Sequence, residues 1–285
     1  MPLVLHPLTA QALTSFEKRP SHAVLIHGPT GIGKTAVANH LAAAILGITP
    51  DQLATYPYLS LIDAQTVSSD SKAAVNQLQH FLSLRVPKSG TINRVVIITG
   101  AQELSLNAQN ALLKTLEEPP LATLMILTAD SQAGVLPTIV SRVQAISIKR
   151  PPAAALTAHF KSNGHADNLI DQAYAMSGGL PGLMEALLTN TDHPLQSATV
   201  LARQLLQQTT YQRLLIVDSL TKDKPLIVNT LFIVQQMAHS RLLSTTGNQF
   251  NRWQRILEAS YVASEQLSRN GQPKLVLDAL MLKLH

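Results

Sequence analysis

Gly28-Pro29-Thr30-Gly31-Ile32-Gly33-Lys34-Thr35 has the spacing G-x-x-x-x-G-K-[ST], and its residue types suit one chemistry, the cradling of phosphate. The glycines let backbone N–H groups converge on phosphate oxygens, and the N-terminus of the following helix adds a favourable dipole. Lys34 would reach the terminal phosphates of ATP or ADP, and the Thr35 hydroxyl would ligate the accompanying Mg2+. The loop is also in the right place. It follows the apolar run Ala23 to His27 and opens the helical run Ala36 to Leu46.

Hydrolysis asks for more than a loop, namely a strand-end acid for the metal and a polar group that orients the attacking water. The strand expected to carry them reads Arg94 to Thr99 and ends in Thr99-Gly100 where an acidic pair belongs. Glu103 stands three residues further on, with its side chain expected to point elsewhere, and Asp63, closing another strand, is the weaker substitute.

These residues must be held by a scaffold, and the pattern of the first 150 residues predicts an α/β parallel sheet with helices on both faces. Strands are expected at Ala23 to His27, Leu59 to Asp63, Arg94 to Thr99, Thr123 to Thr128 and Gln144 to Ile148. A helix is expected from Ser105 to Glu118, where Leu104, Ala108, Ala111, Leu112, Thr115 and Leu116 recur at helical spacing and Pro119-Pro120 ends the run. Pro151-Pro152 marks a boundary, since neither strand nor helix continues through it. Beyond it the chain reads as helical, broken by the glycine turn Ser177 to Gly182 and by Thr191 to Pro194. In the last part Leu201, Leu205, Leu206, Leu214, Leu215 and Leu220 are expected on buried faces.

Composition removes several chemistries. The 285 residues contain no cysteine, which excludes disulfides, thiol catalysis and cysteine-based zinc or iron–sulfur sites. Ten histidines are scattered without metal-ligand spacing and read as structural. No stretch meets the roughly 20-residue apolar requirement of a membrane span, and the N-terminus lacks the pattern of a secretion signal, so a cytoplasmic protein with no membrane partner is expected. The net charge of +5 permits contact with nucleic acid, and Arg85, Lys88 and Arg94 form a loose basic patch suited to a phosphate backbone.

The run Asn107-Ala108-Gln109-Asn110-Ala111-Leu112-Leu113-Lys114-Thr115-Leu116-Glu117-Glu118-Pro119-Pro120 resembles the signature of AAA+ subunits of bacterial DNA polymerase III clamp loaders. Ser21 to Leu25, Leu136 to Arg142, the Ser177 to Gly182 turn and Asn270 to Leu284 are similar to other parts of that family. The resemblance implies three modules: an AAA+ nucleotide-binding domain (1–150), a small helical lid (151–192) and a helical collar (193–285) that joins a hetero-pentamer. It also implies other clamp-loader subunits, a sliding clamp and primed DNA as partners. Within it, Ser141-Arg142 matches the Ser-Arg-Cys motif, so Arg142 is implied to act in trans as an arginine finger.

Departures from the family pattern shape the expectation as much as the matches do. Thr99-Gly100 replaces the acidic pair, Leu183 stands where the lid arginine belongs, Val143 replaces the motif cysteine, and the zinc module of many relatives is missing. A member that binds ATP or ADP but hydrolyses it poorly is therefore expected. The alternatives are an active motor subunit of the same loader and an unrelated P-loop kinase.

Overall fold

Five apolar runs form one parallel sheet in the computed structural model of the chain, which describes residues 3–64, 78–83, 92–189, 195–243, 245–269 and 271–284. The strands are β1 (Ala23–His27), β2 (Leu59–Asp63), β3 (Arg94–Thr99), β4 (Thr123–Ala129) and β5 (Gln144–Ser147), in the order β2-β3-β4-β1-β5. The expected parallel sheet is therefore present. β4 runs one residue further than the sequence pattern indicates and β5 stops one residue earlier. All seven residues of β4 are buried, whereas edge strand β2 alternates between buried and more exposed positions and edge strand β5 buries Ile146 alone of its four residues. That contrast follows from position, because only inner strands have neighbours on both edges and layers on both faces.

Each face of the sheet has its own helical layer. Leu25, Val96, Ile98, Met125 and Leu127 share one cluster with Ala108, Leu112 and Leu116 of the helix Leu106–Glu117. The residues between them, Val24, Ile26, Ile97 and Ile126, alternate to the opposite face and are also fully buried. The helix Lys34–Leu46 packs against β1, β3 and β4, burying Val37, Ala38, Leu41, Ala42 and Ala43, and its small alanines allow a close approach to the strands. Ser105 caps the helix Leu106–Glu117, its hydroxyl accepting from the Ala108 N–H at 3.2 Å, so the expected helix is present one residue shorter at each end.

The chain divides into two compact units, Met1–Pro151 and Pro152–His285. Every described element of the second unit is a helix. Within it the helix Lys224–Leu242 packs against Gln196–Gln207, Asn248–Ser268 and Asp167–Ser177, and buries Ile227, Leu231, Ile233, Val234 and Met237. Gln235 donates to the Ser260 carbonyl at 3.2 Å and to the Ser264 hydroxyl at 2.9 Å, joining two of these helices by a polar link. Leu205 and Leu220 are buried as expected, and Leu201, Leu206 and Leu214 are partly buried. Leu215 is not: it is 64% exposed, because the buried face of its helix is Arg213, Val217 and Leu220. The Arg213 guanidinium donates to the Leu205 carbonyl, and burial followed by the nearby Arg252 charge lowers its pKa. The punctuation at Thr191 to Pro194 lies outside the described residues.

Gln109 ties the first unit together near the Ser-Arg segment. Its side chain, 5% exposed, donates to the Leu104 carbonyl at 3.2 Å and accepts from the Leu136 N–H at 2.9 Å. The second bond secures the start of the short helix Pro137–Val140, which leads directly to Arg142. Gln109→Ala would leave both backbone groups without their partner, so we expect a loss of about 2 kcal/mol in urea unfolding. A loss below about 0.5 kcal/mol would mean that water replaces the side chain without penalty.

Candidate functional site

Because all strands of the sheet are parallel, the residues that follow them gather along one edge. The loop Gly28 to Thr35 leaves the end of β1 there. Its entry is held on both sides: the Gly28 N–H donates to the Ala129 carbonyl at 3.2 Å, and the Ile148 N–H donates to the His27 carbonyl at 2.8 Å. A Cβ on Gly28 would stand 3.0 Å from the Ile148 carbonyl oxygen, so the tight packing beside β5 favours glycine there. Pro29 accepts from the Ile32 N–H at 3.2 Å in a tight turn, and the Ile32 side chain is buried beneath the loop.

Gly31 and Gly33 take φ values of 80° and 94°, in the left-handed region that side chains disfavour. Gly33 is also the N-cap of the helix Lys34–Leu46, and no side chain caps that end. The first-turn N–H groups are thus free of side-chain competition, as a phosphate site needs. Thr35 is exposed at the second helical position. These residues fit a nucleotide phosphate. Among the described residues no cluster of three His, Cys, Asp or Glu side chains could hold a metal ion by itself, so Mg2+ would depend on Thr35 and on the phosphates.

Lys34 folds back over its own loop. Its Nζ donates to the Gly28 carbonyl at 2.8 Å and to Asp130 Oδ1 at 2.7 Å, with the lysine side chain only 12% exposed. Thr30 Oγ1 donates to the same carboxylate oxygen at 3.1 Å, and Gln102 Nε2 donates to Oδ2 at 3.3 Å. Asp130 was not legible as a site residue. It directly follows β4, and only the strand order reveals that β4 lies beside β1, with His27 in register with Ala129. The sequence signal, a carboxylate after a long apolar strand, has no meaning without that neighbour.

His27 closes β1 just before the loop, its Nε2 3.0 Å from Gln132 Nε2. Burial, and then the Lys34 charge, lower its pKa. The neutral imidazole can accept from the Gln132 amide.

Asp63 does not take over the missing acidic pair. It lies at the end of edge strand β2, three strand spacings or roughly 14 Å from β1, and accepts from Thr99 Oγ1 at 3.3 Å. Gly100 has φ 68° and its N–H donates to Thr128 Oγ1 at 3.1 Å, so the end of β3 closes on backbone and hydroxyl groups. Glu103 sits in the following 3-10 turn, Ala101–Glu103.

Arg142 lies at the other edge of the sheet. Gln144, two residues later, pairs with Val24 near the start of β1, whereas the phosphate loop departs after His27, about 10 Å further along. Its guanidinium donates to the Thr138 carbonyl at 2.9 Å and forms an ion pair with Glu117 at 2.8 Å. Glu117, inside the quoted signature, was missed as its partner because the two are 25 residues apart and meet only across the packed helix.

One expectation about the basic residues is corrected. Arg94 is not part of a basic surface patch: it is 3% exposed, donates to the Leu82 carbonyl, and stacks over Phe81 at 5.6 Å, while Arg85 and Lys88 lie outside the described residues. Its pKa is lowered by desolvation. Leu183, at the position of the lid arginine, is a core residue at 1% exposure. Among the described residues no helix is long and apolar enough to cross a membrane.

Residues 11–152 match the family model described as DNA polymerase III, delta subunit. The chain is 30% identical over 179 residues to DNA polymerase III subunit delta' of Pseudomonas aeruginosa, covering 56% of this chain and 54% of that protein. It is 32% identical over 199 residues to DNA polymerase III subunit delta' of Haemophilus influenzae, covering 62% and 58%. The chain thus spans a little over half the length of these relatives. A DNA polymerase III gamma subunit-related protein of Thermotoga maritima has the same fold, with a TM-score of 0.55 at 16% identity over 98% of this chain and 100% of that one. With a phosphate loop on a β2-β3-β4-β1-β5 sheet, the chain has the AAA+ fold and resembles, over residues 11–152 and in these relatives, the subunits of DNA polymerase III clamp loaders.

Proposed function

We propose that the chain works as a delta-prime-type subunit of a DNA polymerase III clamp loader, helping to load the sliding clamp onto primed DNA. In this reading it binds ATP or ADP with Mg2+ through Gly28 to Thr35, hydrolyses the nucleotide poorly, and lends Arg142 to the site of a neighbouring ATPase subunit. The observation that carries it is the pairing of a complete phosphate loop with a β3 end made of Thr99-Gly100. Such a site can hold phosphates but has no acid on that strand end to position metal and water. Residues 151–192 would serve as lid and 193–285 as a collar joining the other subunits of a hetero-pentamer, in the cytoplasm.

Action of Arg142 in trans is supported by its place at the sheet edge opposite the loop. The Glu117 pair need not prevent it. With the two side chains 36% and 50% exposed, such a pair contributes about 0 to 1 kcal/mol, little enough for a neighbour's phosphates to displace. The intact loop also favours a second reading, an active motor subunit, which a single-turnover ATPase assay separates. Absence of product at stoichiometric ATP supports the first reading.

Titration with a fluorescent nucleotide should show binding weakened at least about tenfold by Lys34→Ala. Equal affinities would remove the nucleotide from the proposal. In a reconstituted loader, Arg142→Ala should leave assembly intact by size-exclusion chromatography and slow hydrolysis at the neighbouring site by about a hundredfold or more. Unchanged turnover would rule out the finger.

A further inference from the structure

We propose that Asp130 is a built-in anionic occupant of the phosphate site, a carboxylate that competes with the nucleotide for Lys34 and Thr30. The inference rests on the nucleotide reading of the same loop and adds a residue that opposes binding.

Three donors converge on this one carboxylate. Two come from the loop itself, Lys34 Nζ at 2.7 Å and Thr30 Oγ1 at 3.1 Å, both on Oδ1. The third, Gln102 Nε2 at 3.3 Å, comes from beyond β3 and holds Oδ2. The Gln102 side chain is itself constrained, since a Cβ on Gly134 would meet its Cβ at 2.8 Å. Its amide places the NH2 group toward Asp130, although Oε1 is then buried without a hydrogen-bond partner among the described residues. The opposite orientation would set the amide oxygen against the carboxylate, so the electrostatics of Asp130 fix the amide at the expense of its oxygen.

Lys34 is the residue through which the loop neutralises terminal phosphates. When its ammonium donates a hydrogen bond to a fixed carboxylate, an incoming phosphate must displace that partner and then lie beside a like charge. Both effects weaken binding; when the carboxylate becomes an amide the like charge is gone and the competing partner is reduced to a neutral acceptor.

The test is a titration of Asp130→Asn and the unaltered protein with fluorescent ADP and ATP, with Mg2+ and again with chelator. Binding to Asp130→Asn should be about tenfold tighter in both conditions. Gln102→Ala, which loosens the carboxylate without removing it, should tighten binding two- to threefold, about 0.5 kcal/mol, and carries the decision should Asp130→Asn fail to fold. Thermal unfolding without nucleotide should show a lower midpoint for Asp130→Asn, because Lys34 loses its partner. Equal affinities overturn this proposal alone. Weaker binding that appears only with Mg2+ overturns it in favour of Asp130 as a metal ligand. Absence of binding to every protein, the unaltered one included, overturns both this proposal and the nucleotide reading.

Discussion

The pairing of β4 with β1 is the constraint on which the site depends. β4 is buried along its whole length, and each fully buried Leu or Ile in it contributes about 1.5 to 3 kcal/mol over an exposed one. Its register against β1 sets His27 opposite Ala129. The chain segments that follow, Gly28 on one strand and Asp130 on the other, therefore emerge side by side. A slip of one residue would turn the side chains of a whole strand to the opposite face and is opposed by the entire core.

From that junction the rest of the first unit follows. β5 flanks β1 on its other side and closes over Gly28, where the backbone approach leaves room for glycine. The helix Lys34–Leu46 starts at an uncapped N-terminus and is anchored by its alanine-rich face, so the loop is positioned by a rigid element at each end. Polar side chains carry the longer-range ties: Gln109 joins the helix Leu106–Glu117 to the segment of Arg142, and Gln102 joins the end of β3 to Asp130. The arrangement sets two features apart on one sheet, the glycine loop at the carboxyl edge and Arg142, paired with Glu117, toward the amino edge.

Composition and spacing alone determined a good deal. The motif Gly28 to Thr35, the five strand segments and the helix after Ser105 were legible because each is encoded locally, by apolar periodicity, by glycines at fixed offsets or by a proline pair that ends a run. The missing acidic pair at Thr99-Gly100 was equally plain, since it is a matter of residue type at a strand end.

Only the tertiary structure decided the strand order, and with it the partners of the charged groups. Asp130 became the counter-ion of Lys34 across 96 residues of sequence, Glu117 became that of Arg142, and Arg94 left the surface to lie over Phe81. Leu215 moved the other way, out of the core. The physical reason is the same in each case. Periodicity reports which face of an element is apolar, whereas the position of a charge is set by which other element arrives beside it, and that is a property of packing between distant segments.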